Sequence, residues 1–321
     1  MDPICHTMVG AALASTGLER KTRFGCATLI LGANLPDVDV ISYAWGETAG
    51  LGFRRGITHG VLALIVLPLF LAGAMMLVGR LPRWGRGSTA AAADFKWLLA
   101  LSAISVASHP TLDFLNVYGV RWLMPFDDTW FYGDVLYIID PWMWAILAVA
   151  LIAAVWRRNR NARNVFARPA CVGLLAAFAY VTAMAAGESI SRRVVGASLS
   201  EGEIPKLMVA PVFVDPFRRT VVIDGEIAYR LGVVNLLPSP HFSLDERRIP
   251  KGEGAAARLA AATSAGQTFL RWARFPFFEF DNSNEAKPAV YIIDARYTLD
   301  RNVLFGAIRI PVATVGAERK P

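Results

Sequence analysis

Ser108-His109-Pro110-Thr111-Leu112-Asp113-Phe114-Leu115-Asn116 closes an apolar run that starts at Trp97. A histidine and a carboxylate four residues apart lie on one helical face, one above the other. Such groups are costly in lipid, where insertion scales put an Asp at mid-membrane at roughly 2.5–3.5 kcal/mol. They must face protein, water or a metal, and imidazole with carboxylate is a ligand set for a divalent ion such as zinc. The alternative is a hydrogen-bonded His–Asp pair that ties two helices together. Pro110 has no N–H, which predicts a kink or a restart of the helix there.

The surroundings of this stretch are those of a membrane protein. Of 321 residues, 55% are hydrophobic and 18% charged, against the roughly 25% charged that a soluble domain carries. A net charge of +7 would suit nucleic acid, but Lys and Arg fall in short clusters between apolar runs, as in cytoplasmic loops. No nucleic-acid partner is expected. Cys5, Cys26 and Cys171 lie in apolar segments, show no zinc-finger or CxxC spacing, and exclude a disulfide framework from the tail. Met1 to His6 lacks the basic start of a signal peptide, so the segment is expected to be retained.

Apolar runs follow one another: Ile4–Leu18, Phe24–Ala44, Ile57–Val78, Phe95–Val117, Pro141–Trp156 and Pro169–Ala186. A spanning helix needs about 20 residues. The fold class expected is therefore membrane all-α: about four clear transmembrane helices plus an N-terminal helical hairpin, within residues 1–190. Residues 191–321 change character, with β-rich runs at Thr220–Tyr229, Ala289–Arg296 and Val303–Val315 and a helical stretch at Ala255–Arg274. They predict an α+β domain outside the bilayer, with the aromatic Trp272–Phe278 edge packed on the membrane surface.

The positive-inside rule orients the runs. Basic residues gather at Arg20, Lys21 and Arg23, at Arg80, Arg83, Arg86 and Lys96, and at Arg157, Arg158, Arg160, Arg163 and Arg168. Alternate loops hold only Arg54, Arg55 and Arg121. The basic loops face the cytoplasm, and residues 191–321 the periplasm. In that topology His6, Asp37, Asp39, His59, His109 and Asp113 converge on one leaflet, at headgroup depth.

Each of these residues has a plainer reading. Asp37 and Asp39 point to nearly opposite sides of an intact helix; both reach one site only if the helix ends near Pro36, and otherwise one is ligand and the other cap. His6 also fits a core histidine near a helix start. Arg55 suits a phosphate or carboxylate bidentately, yet Arg54 and Arg55 also fit arginines reaching to headgroups. His241 reads as a loop residue.

Four motifs in order resemble the YdjM family of bacterial inner-membrane, metal-dependent hydrolases. They are His6, Pro36-Asp37-Val38-Asp39, Arg54-Arg55-Gly56-Ile57-Thr58-His59-Gly60 and Ser108-His109-Pro110-Thr111-Leu112-Asp113. Gly119 and Pro125 follow, and Trp272–Phe278 and Asp281–Tyr297 are similar to the tail of some members. The chain departs from the pattern twice: Arg54 stands where the family has a first histidine, and Gly60 where it has serine. The resemblance implies one or more divalent ions, zinc foremost, on His6, Asp37, Asp39, His59, His109 and Asp113, with Arg55 as the catalytic residue holding an anionic group. It implies a multi-pass protein of the inner membrane among membrane lipids. The family is distantly similar to zinc phospholipase C and P1-type nucleases, so phosphoester or related bonds of a lipid-like substrate are expected. Ion or solute transport, or a metal that only fixes helices, are the alternative readings.

Overall fold

The computed structural model describes residues 1–81, 92–158, 169–199, 206–281, 288–303 and 305–311. Arg83, Arg86, Arg160, Arg163 and Arg168 lie outside the described residues, as does the end of the Val303–Val315 run. The chain divides into two compact units. The first holds Met1–Val40, Arg55–Gly187 and Val212–Pro216; the second holds Ile41–Arg54, Glu188–Pro211 and Phe217–Pro321.

In the first unit, helix α1 (Pro3–Ser15) starts where the Asp2 carboxylate accepts the N–H groups of Ile4 and Cys5, with Pro3 in its first turn. Helix α2 (Gly25–Gly32) follows, and the chain then tightens into a 3₁₀ stretch, Leu35–Trp45. Helix α3 (Glu47–Phe53) belongs to the second unit, and α4 (Ala63–Arg80) returns to the first. Helix α5 (Phe95–Phe114) runs unbroken through Pro110, without the expected restart. Its buried stripe, Leu98, Leu101, Ser102, Ser105, Val106, His109 and Asp113, follows the spacing of a core-facing helix, but polar residues occupy much of it. Gly32 lets α2 approach this stripe, since a Cβ there would meet the Ser105 hydroxyl at 2.0 Å. Helix α6 (Pro141–Arg158) and helix α7 (Pro169–Ser198) as far as Gly187 complete the unit; Met143, Leu147, Ala177 and Met184 from them share one apolar core with Cys5 and Ala12 of α1.

The four-span expectation is corrected by helix length and composition. Among the described residues only α4 and α7 are long and apolar enough to cross a membrane. Helix α1, with 13 residues, rises ~20 Å against a hydrocarbon core of about 30 Å. The 8 residues of α2 rise less still, so the hairpin does not span. The 20 residues of α5 have the length, but the helix carries Lys96, His109, Asp113 and four Ser or Thr. Some of the apolar runs are short from the start, breakers shorten others, and α5 encloses polar groups.

The second unit is built on two antiparallel sheets. Strands β1 (Leu207–Pro211), β2 (Arg218–Asp224), β3 (Ala228–Asn235) and β4 (His241–Pro250) pair in sequence order. One face of this sheet packs Leu207, Val209, Val221, Ile223 and Val234 against Val195. Helices α8 (Ala255–Ala262) and α9 (Ser264–Trp272) divide the expected single helix at Thr263, whose hydroxyl accepts the Gly266 N–H. Strands β5 (Pro276–Asp281), β6 (Ala289–Asp294) and β7 (Ala307–Pro311) form the second sheet. Trp272, Phe275 and Phe277 are buried inside this unit, not spread on a membrane surface as their sequence suggested. Tyr229 donates to the Pro276 carbonyl at 2.8 Å, and burial pushes its pKa above the ordinary value.

Candidate metal centre

Three chain segments of the first unit deliver one donor cluster. Helix α5 presents His109 and Asp113 one turn apart. The 3₁₀ stretch presents Asp37, because Gly32 ends α2 before the Leu35-Pro36 pair. The turn Gly56–Gly60, closed by His59 N–H and Gly60 N–H to the Gly56 carbonyl, presents His59. Asp37, His59, His109 and Asp113 each offer one ligand atom, all within 4.8 Å of one another.

The contacts within the cluster are even. His109 Nε2 lies 3.2 Å from His59 Nε2. Asp113 Oδ2 is 3.3 Å from His59 Nε2 and 3.5 Å from His109 Nε2, and Asp37 Oδ1 is 3.8 and 3.5 Å from the same two nitrogens. Tetrahedral zinc with bonds of 2.0–2.1 Å requires ligand atoms roughly 3.3 Å apart. The spacing fits.

Proton placement leads to the same result. His109 Nδ1 faces the Ala33 carbonyl at 2.6 Å; a carbonyl only accepts, so Nδ1 carries the proton and Nε2 is a lone pair. His59 Nδ1 faces Thr58 Oγ1 at 3.0 Å and Asp39 Oδ2 at 3.5 Å, which puts its proton on that side too. Burial holds the His59 pKa below its ordinary value, so the ring is neutral. Two imidazole lone pairs and two carboxylate oxygens thus converge, and the buried Asp113 Oδ2 has no hydrogen-bond partner. With the His109 ring neutral, these four atoms make a donor set for a cation.

The remaining expected residues surround this set. Asp39 sits behind His59: its Oδ2 accepts the Arg55 N–H at 2.7 Å and lies 3.3 Å from the Thr58 hydroxyl. His6 stacks on His109, ring centroids 3.7 Å apart, with Nε2 3.3 Å from Asp113 Oδ1. Arg55 is buried; Nη2 lies 2.9 Å from Asp113 Oδ1, and Nη1 donates to Asn116 Oδ1 and the Gly119 carbonyl at 3.1 and 3.0 Å. Its guanidinium lies over the Tyr118 ring, and the Met1 amino group also meets Asp113 Oδ1. Arg55 adopts φ +50°, unusual for a side chain with a Cβ, and both its backbone groups are engaged, by Asp39 and by the Arg121 N–H. His241, in the second unit, is exposed beside Asn235.

Asn116, Tyr118 and the Ala33 carbonyl had no expected role. Asn116 had a signal, three residues beyond Asp113 on the same face; a backbone carbonyl has none.

Residues 1–187 match the YdjM inner membrane protein family. This chain is a member of the YdjM family. The match spans more than half its length and all four motifs. A search of curated proteins and of solved structures finds no significant match. Both departures from the YdjM pattern have a structural setting. A Cβ at Gly60 would lie 2.2 Å from the Met124 carbonyl oxygen, so the backbone approach here leaves no room for the family's serine. Arg54 lies in the second unit, and the four donors assemble without a histidine at that position.

Proposed function

We propose that this YdjM-family protein is a membrane-bound, metal-dependent hydrolase of phosphoester or related bonds in a lipid-like substrate. The observation that carries the reading is the convergence of His59 Nε2, His109 Nε2, Asp37 Oδ1 and Asp113 Oδ2 with their lone pairs inward. Zinc fits the spacing and the donor set. When bound, such an ion supplies a Lewis acid and lowers the pKa of an attached water towards ~7.

The chain's own residues do the rest. Thr58 and Asp39 fix the tautomer of His59, and Ala33 fixes that of His109. Arg55 holds Asp113 by its far oxygen, leaving Oδ2 free for the cluster. Asp37 is the donor at the rim, 13% exposed where the other three side chains are closed off. Its neighbours Val38 and Val40 are exposed apolar side chains, suited to an amphiphilic substrate presented from lipid. We further propose the inner membrane as the location and the periplasm as the side of the second unit.

A second reading has an observation in its favour. Four protein donors complete a tetrahedron, as in metal sites that only hold a fold together. Incubating metal-loaded protein with total membrane lipids and following released head groups by mass spectrometry separates the two. Hydrolysis predicts a product that disappears with His109→Ala. A metal-loaded, folded protein that releases nothing supports the structural role.

A further inference from the structure

We infer that the centre holds a single ion, with Arg55 standing where a second cation would sit and His6 acting as a support for the His109 ring. The inference rests on the metal-binding reading above and decides its stoichiometry and ligand set.

The Asp113 carboxylate has two different sides. Oδ2 belongs to the donor cluster. Oδ1, the atom that would bridge to a second ion, meets the Arg55 guanidinium at 2.9 Å. A metal placed there would face a fixed positive charge that already neutralises this oxygen. Arg55 cannot give up its charge, and its other end is anchored on Asn116 and Gly119.

His6 is the imidazole that such a second ion would need, and its surroundings differ from those of the other two. A ligating histidine almost always donates its second nitrogen to a carbonyl, carboxylate or hydroxyl. His109 has Ala33 and His59 has Thr58 with Asp39, whereas His6 Nδ1 is buried without a hydrogen-bond partner and its Nε2 lies 3.3 Å from Asp113 Oδ1, the oxygen that Arg55 already holds. Its close relation is to a ring: it lies face to face with His109, 16° from parallel. Stacking keeps the His109 plane aimed at the cluster. His6 is a positioning residue.

The test uses full-length detergent-purified protein loaded with cobalt(II), whose visible absorption reports coordination geometry. The expected result is one cobalt per chain by elemental analysis, with tetrahedral bands. His6→Phe keeps a ring to stack on His109 but has no donor atom, and should retain the equivalent, the bands and the affinity within about threefold, well short of the 10–100-fold that loss of an outer-shell partner costs. His6→Leu replaces it should the Phe variant not fold, and is read at saturating cobalt for stoichiometry and bands alone, since it has neither donor atom nor ring. Two equivalents in the wild type, or a His6 variant that loses cobalt or changes its bands, overturns the inference while leaving a metal centre standing. Folded wild-type protein that takes up no cobalt overturns the metal-binding reading and the inference with it.

Discussion

His59 Nε2 lies 3.3 Å from Asp113 Oδ2, and neither atom has a proton to share. The turn at Gly56–Gly60 and the last turn of α5 are held together there by two groups that each seek positive charge. An ion between them would stabilise the folded chain by mass action, by about 2.7 kcal/mol when free metal is a hundred times its Kd. Chelation should therefore lower the melting temperature of the purified protein, and added zinc should restore it. An unchanged melting curve in protein shown to have lost its metal would contradict this.

Asp39 tests the outer layer. Asp39→Asn keeps an oxygen for the Arg55 N–H but removes the charge behind His59. Metal affinity, measured by competition with a chelator, should fall by about 10–100-fold while the protein stays folded. Affinity equal to wild type would make Asp39 a cap of the turn and nothing more.

Gly60→Ser restores the residue that the family has and should harm this chain. The new Cβ must displace the Met124 carbonyl, 2.2 Å away, and overpacking of this kind costs about 1–3 kcal/mol. Because His59 is the preceding residue, metal content should fall along with stability. Thermal unfolding and elemental analysis of the variant, side by side, check both.

Arg55→Ala leaves Asp113 Oδ1 buried without its guanidinium. Breaking a buried pair from one side costs about 3–5 kcal/mol, so the loss should show in denaturant unfolding. Arg55→Lys should lose less, yet it cannot reach Asp113, Asn116 and Gly119 together. A variant as stable as wild type would mean that the guanidinium is not what holds Asp113.

The orientation of the chain is open to a direct test. With α4 and α7 as the candidate spans, the basic connection between them, around Arg80 and Arg157, is expected to face the cytoplasm under the positive-inside rule and the second unit the periplasm. A reporter active only when exported, fused after Pro321, should be active. A signal from a cytoplasmic reporter at the same point would invert the topology and move the metal centre to the other leaflet.

The site was more legible in the sequence than the fold. His109 and Asp113 announce themselves by a four-residue spacing that survives in α5, and Asp37 and His59 by rare polar residues next to Pro and Gly. The division of labour between Asp37 and Asp39 was not legible, since it depends on a 3₁₀ stretch turning one to the cluster and the other to Arg55. The four-span expectation failed for a related reason: hydropathy counts apolar residues without saying whether they meet lipid or other helices. The stripe of α5 and the small residues of α1 and α2 meet protein. In the tail, Thr220–Tyr229 reads as one run because both strands are β-rich, but Asp224-Gly225 ends β2 and turns the chain into β3. Trp272–Phe278 looked like a surface only because aromatic residues suit an interface and a core equally well.

The bond from the Arg55 N–H to Asp39 Oδ2 closes the chain just before and just after the Ile41–Arg54 excursion into the second unit. The two ends of the excursion are thereby fastened to each other independently of what lies between them. A chimaera that swaps only this segment would inherit the chemistry of its host.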